Sequence, residues 1–253
     1  MPNPIHRVLS TLNRHRVKYL LMGGQACIFY GGAEFSRDTD VALLAEPENL
    51  ERLSSAMRAL QAELIAVPPL QVDYLRRGHA VHYRCRHPEA DGMRLDVLSV
   101  MRGVPAFPIL WERRTTVRLP EGEDIELLAL PDLVQAKKTQ RDKDWPMIRR
   151  LVEANYVQFS DRPSEERMAF WLAELRTPGL LREVASRFPA AWSAAVRTRP
   201  FLASLHTRTD EEVAASLADE EARERAADRA YWTPLRKELE RIRRERLSGN
   251  REQ

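Results

Sequence analysis

The chain has 253 residues, 43% of them hydrophobic and 30% charged, so a sizeable core lies under an unusually charged surface, and whole-chain disorder and collagen-like repetition are excluded. No apolar run approaches the roughly 18 residues of a membrane span, and MPNPIHRVLS lacks the apolar middle of a signal peptide; a soluble cytoplasmic protein with no membrane partner is expected. Forty basic against 37 acidic residues give a net charge of +3, which alone does not argue for nucleic acid, and two cysteines make neither a disulfide framework nor a Cys-rich metal site.

Residues 5–14 place Ile5, Val8, Leu9 and Leu12 at the spacing of one helix face, and VKYLLM (17–22) reads as a buried strand ended by Gly23-Gly24. QACIFYG suits a short helix, DVALLA (40–45) a second apolar strand, and PENLERLSSAMRALQ a helix with Pro47 near its start. HAVHYRCR (79–86) and MRLDVLSV (93–100) form a hairpin across Asp91-Gly92, and TTVRLP and DIELLAL form a second across Glu121-Gly122-Glu123. A helix opens at Pro131-Asp132, and the pattern stays helical from Leu133 to Tyr156. Past Ser160 the strand-like runs vanish and apolar residues recur at three and four. Residues 151–253 carry eighteen basic and eighteen acidic side chains, so all the net charge sits in the first 150. The last stretch, EEARERAADRAYWTPLRKELERIRRERL, reads as a solvated helix broken at Pro234. The expected fold class is therefore α+β, with a mixed sheet and flanking helices over residues 1–157 and an all-helical region over 158–253.

Three carboxylates stand out. Asp38 and Asp40 lie two apart at the mouth of a strand, so they point the same way. Asp96 sits in the apolar run RLDVL, where a lone carboxylate is costly without a charge partner; Arg94 and Arg84 are within reach as such partners. Converging carboxylates suit a hard divalent cation, Mg²⁺ or Mn²⁺, which is commonly shared with substrate phosphates. Gly23-Gly24, between a strand and a helix, offers backbone N–H groups to an anion. His79, His82, Cys85 and His87 match no common zinc spacing, and Tyr83 and Arg84 are candidates for lining a cleft.

LLMGG (20–24), EFSRDTD (34–40) and RLDVL (94–98) together resemble the DNA polymerase β-type nucleotidyltransferase superfamily, in particular its small prokaryotic members. The stretch LPDLVQAKKTQRDKDWPMIRRL (130–151) looks like the helix pair that follows the sheet in AbiEii-like toxins and antibiotic nucleotidyltransferases. The resemblance spans about residues 15–155. It implies a nucleotidyltransferase core in which Asp38 and Asp40 bind two Mg²⁺ ions, and Asp96 binds the catalytic one and helps deprotonate the acceptor. It implies nucleotide binding by Gly23, Gly24 and Ser36, with Lys137 reaching the triphosphate, supported by Lys138, Arg141 and Lys143. Glu34 stands where relatives often have arginine, and Arg37 lies three positions on. A second register, Asp40-Val41-Ala42, would replace one ligand by alanine and imply an inactive protein; the interval from Gly24 and the place of Ser36 favour Asp38/Asp40.

The activity implied is Mg²⁺-dependent transfer of a nucleoside monophosphate from an NTP to an acceptor hydroxyl, with pyrophosphate released. The acceptor leans toward tRNA or other RNA, ahead of a hydroxyl-bearing antibiotic or a protein side chain. The toxin resemblance implies an antitoxin protein as a partner. The competing reading is an inactive nucleotidyltransferase-like module that binds a nucleotide or a partner.

Overall fold

A computed structural model of the chain describes residues 4–120 and 122–249. Its elements in order are α1 (Pro4–Arg14), β1 (Tyr19–Met22), α2 (Gly23–Phe29), β2 (Asp38–Leu43), α3 (Pro47–Ala59), β3 (Glu63–Leu64), α4 (Val72–Arg76), β4 (Val81–Arg84), β5 (Arg94–Leu98), α5 (Phe107–Glu112), β6 (Thr115–Arg118) and β7 (Asp124–Leu127). Then come α6 (Leu130–Ala136), α7 (Asp144–Phe159), α8 (Glu165–Glu174), α9 (Pro178–Arg187), α10 (Pro189–Ala195) and α11 (Asp210–Gly249). The seven strands form one mixed sheet in the order β3-β4-β5-β2-β1-β7-β6, so the α+β class holds. No helix among the described residues is long and apolar enough to cross a membrane.

Two compact units are present. The first takes in Met1–Phe29, Ala33–Ala136 and Ala230–Gln253, and the second takes in Tyr30–Gly32 and Lys137–Arg229. The sheet lies in the first. Its interior strand β1, YLLM, is buried at every residue, as its uninterrupted apolar run requires. In β2 the pattern splits by period two: Thr39, Val41 and Leu43 are fully buried, while Asp38 and Asp40 are half-buried on the other face. Val8, Leu9 and Leu12 of α1 are buried as one face, as their helical spacing requires. Asn49 of α3 fastens the sheet at the junction of β1 and β2: its Oδ1 accepts from the Lys18 backbone N–H at 2.7 Å, and its Nδ2 donates to the Lys18 and Leu44 carbonyls.

Both hairpins form. β4 and β5 pair antiparallel, with Gly92 at φ +75° in the turn, a conformation that only glycine adopts without strain. β6 and β7 pair likewise; Glu121 of that turn lies outside the described residues. Three short elements, β3, α4 and α5, were not expected from the sequence.

The second unit has no strand among its described residues. Its core gathers Trp171, Leu172, Leu181, Val184 and Leu202, with Tyr156 edge-on to Trp171 at 5.1 Å between centroids. Arg199, 5% exposed, bonds Glu220 at 2.8 Å and the carbonyls of Leu172 and Leu175, so its buried charge is both paired and hydrogen-bonded.

Two expectations about helices need correction. The helical pattern from Leu133 to Tyr156 is interrupted: α6 stops at Ala136 and α7 starts at Asp144. The intervening residues fold back on Asp144, whose carboxylate accepts from Thr139 Oγ1 at 2.6 Å and Arg141 Nε at 2.7 Å. Conversely, α11 is not broken at Pro234, which lies inside the helix. Proline there costs the backbone bond that its missing N–H would have made to Ala230, and the helix continues on both sides.

Candidate active site

β2 and β5 run parallel, with Asp40 opposite Asp96 and Asp38 opposite Arg94. Side chains alternate along a strand, and laterally paired residues share a face, so Asp38, Asp40, Arg94 and Asp96 all stand on the face opposite the buried Val41, Leu95 and Val97. β4 adds a third column, with His82 opposite Asp96 and Arg84 opposite Arg94. Tyr83, by contrast, points into the core, where burial pushes its phenol up to about 12, so of the two cleft candidates only Arg84 reaches this face.

On the other flank, β1 ends with Met22 opposite Asp40, and the chain turns at Gly23 with φ +65°. A side chain at position 23 would collide with the Asp40 carboxylate, and one at 24 with the Ser36 hydroxyl. The two glycines therefore let the backbone approach the carboxylate and the serine closely. Ser36 Oγ donates to the Asp38 carbonyl at 3.1 Å, and the buried Gln25 amide donates to the Ser36 carbonyl at 3.1 Å, which ties the loop before β2 to the start of α2. Gly23, Gly24, Ser36, Asp38, Asp40 and Asp96 thus come together.

Asp96 has its counter-charges at hand. Its Oδ1 accepts from Arg94 Nε at 2.7 Å and lies 2.8 Å from His82 Nδ1, and Arg94 Nη2 is 3.2 Å from the same histidine nitrogen. Burial alone would raise this carboxyl, but the hydrogen bonds from His82 and Arg94, with their charge, hold it below the usual carboxylate value. The Arg94 guanidinium is raised in turn, first by its bond to Asp96 and further by the charges of Asp38 and Asp40. Of the partners foreseen for Asp96, Arg94 is the one used. His82 had no role assigned; its signal was available only through the β4–β5 register, and Arg94-x-Asp96 spacing was the part visible in the chain. His79 bonds Glu238 at 2.7 Å and His87 Nε2 meets Arg7 at 3.1 Å, while Cys85 is buried with its thiol pushed up to about 11, so these residues do not form a zinc set.

Lys137, Lys138 and Arg141 belong to the second unit and are engaged there with carboxylates. Lys137 is buried, 3.4 Å from Asp144 Oδ1. Lys138 bonds Glu174 at 2.7 Å, and Arg141 bonds Asp144.

The donor set of Asp38, Asp40 and Asp96 has the hard oxygens that Mg²⁺ takes. They share a face, but among the described residues no group of three or more His, Cys, Asp or Glu is close enough to hold a metal ion as it stands. At Asp96 both Arg94 and His82 are bound to the same oxygen, Oδ1. The chain matches no protein-family model and no curated protein sequence.

Proposed function

We propose that this protein is a Mg²⁺-dependent nucleotidyltransferase that moves a nucleoside monophosphate from an NTP to an acceptor hydroxyl. The observation that supports this most is the register that sets Asp38, Asp40 and Asp96 on one face of two paired parallel strands, with Gly23 packed against Asp40. In the reaction the acceptor oxygen bonds to the α-phosphorus, the bond from that phosphorus to the bridging oxygen breaks, and pyrophosphate leaves. Asp38, Asp40 and Asp96 are the residues that would hold magnesium, which when bound would neutralise triphosphate charge and lower the acceptor hydroxyl's pKa. Gly23 and Gly24 let the backbone lie against Asp40 and Ser36, and their N–H groups are the ones that would meet phosphate oxygens. Asp96 takes the hydroxyl proton, and Arg94 and His82 position its carboxylate. Most of the rate gain in such a site comes from alignment and charge neutralisation. The cytoplasm is the compartment this reading expects, since NTPs are abundant there.

One observation favours a second reading, an inactive nucleotide- or partner-binding module: Arg94 and His82 already engage Asp96 Oδ1 with positive charge. Isothermal titration with NTP and Mg²⁺, beside a pyrophosphate-release assay, separates the two. Binding with release supports the transferase, and binding without release supports the module.

A further inference from the structure

The second unit holds a cleft of about 440 Å³ that the transfer chemistry does not use. Its walls are one face of α11, with Ser216, Asp219, Glu220 and Arg223 at helical spacing, then Phe201 from the turn after α10, and Arg208 just ahead of α11. Glu220 has no charge to spare: its two oxygens accept from the buried Arg199 at 3.0 and 2.8 Å, and Arg176 lies 3.8 Å away. Arg208 is half-buried and pinned, since its Nη1 donates to Ser216 Oγ at 2.8 Å and its carbonyl accepts from Arg182. No carboxylate among the described residues pairs with it. Asp219 and Arg223 stand four apart with the acid first, the order in which such residues pair best on a helix. Among the described residues their side chains nevertheless form no ion pair or hydrogen bond, with each other or with any other group.

The cleft therefore presents two guanidinium groups and one carboxylate whose charges the protein leaves unanswered. Phosphate or another simple anion meets Asp219 there, and a simple cation meets Arg208 and Arg223. A neutral apolar ligand would take water from three charges and return nothing to them. The ligand that answers all three carries two carboxylates and one ammonium, on a short aliphatic body that can lie against Phe201. We infer that this cleft binds an acidic α-amino acid of the glutamate class, with its carboxylates on Arg208 and Arg223 and its ammonium on Asp219. Arginine suits the first two contacts because its planar fork meets a carboxylate with paired N–H donors. The volume exceeds that of such a ligand and leaves room for the waters that bridge charged groups in wet sites. Every wall residue belongs to the second unit, so the site owes nothing to the transferase reading.

The test is isothermal titration of the full chain with L-glutamate at fixed ionic strength, beside glutarate, which lacks the ammonium, 4-aminobutyrate, which lacks the α-carboxylate, and inorganic phosphate. L-Glutamate is expected to bind one to one with a Kd below about 1 mM, and glutarate and 4-aminobutyrate each roughly tenfold or more weakly. Asp219→Asn removes the preference for L-glutamate over glutarate, whereas Arg223→Gln weakens both. Asp219 and Arg223 are exposed, so both variants keep the fold, which coincident thermal unfolding checks. Arg150→Gln, at an exposed arginine of α7 outside the cleft, changes neither affinity. The site is overturned by L-glutamate binding that Asp219→Asn and Arg223→Gln leave as it was, by equal binding of glutarate and L-glutamate to the wild type, or by a preference for phosphate over both. No saturable heat with L-glutamate up to about 10 mM overturns it as well.

Discussion

Asp144 shows what a single side chain decides in the second unit. It is almost wholly buried, and it answers Lys137, Thr139 and Arg141 at once. Burial pushes its carboxyl up, but the Lys137 charge, the Thr139 hydroxyl and Arg141 together hold it below the usual value of 3.8. A depressed folded value means that this carboxylate stabilises the protein above the unfolded pKa, and that the contribution is lost as pH falls through the folded value. Asp144→Asn keeps the shape and leaves Lys137 buried without its anion, so it is expected to cost about 3 kcal/mol at neutral pH. Thermal unfolding of both proteins from pH 7 downward checks this: the gap should narrow below about pH 4. A gap that is constant with pH would show that packing, not charge, was lost.

At the scale of elements, Pro234 is the informative departure. The rule that proline ends a helix comes from local sterics and one missing donor, a cost of about 3 kcal/mol. A forty-residue helix with buried positions on both sides of the proline, Val213, Leu217, Leu235 and Ile242, outweighs that local cost. Pro234→Ala is therefore expected to stabilise the protein by about 1 to 3 kcal/mol and to leave the helical circular dichroism nearly unchanged. A loss of stability would mean that the proline shapes the helix in a way that its packing needs.

The same balance explains what was legible in the chain. The strands β1, β2, β4 and β5 and the two hairpins followed from apolar runs, period-two alternation and the Asp91-Gly92 turn. β2 begins at Asp38 instead of Asp40, so both carboxylates enter the strand and face one way. β3, α4 and α5, of two, five and six residues, are too short to show a period. The break at 137–143 was hidden because Lys, Gln and Arg are good helix formers; local side-chain bonds to Asp144, not propensity, accompany it. At the site, Asp38, Asp40 and Asp96 were readable as a spacing, and their meeting on one face is a matter of register, which alternation alone leaves open. Arg94 and His82 as the partners of Asp96 needed that register too.

Across the whole molecule, the chain does not divide where its composition changes. Composition shifts near residue 158, yet Ala230–Gln253 groups with the sheet unit and Lys137–Arg229 forms the other. Within the sheet unit Glu238 accepts from the fully buried His79 at 2.7 Å and pairs with Arg77 at 2.5 Å, and Leu235 and Ile242 are buried. A chain ended at residue 229 is expected to lose about 3 kcal/mol or more from this unit, with faster amide exchange over 72–81, since two buried aliphatic side chains and the partner of a buried histidine go together. Unchanged exchange there would separate the last part of α11 from the stability of the sheet.

The most direct measurement is incubation of the full chain with Mg²⁺ and each labelled NTP in turn, with and without single-stranded RNA, beside Asp38→Asn. Asp38 is half-buried at the strand's start, so its amide variant is expected to unfold within about 0.5 kcal/mol of the wild type. Label joined to RNA with stoichiometric pyrophosphate, and neither product from Asp38→Asn, is the result expected of three carboxylates acting on one face of the sheet. Equal transfer by Asp38→Asn, or no pyrophosphate from any NTP with any acceptor, would contradict it.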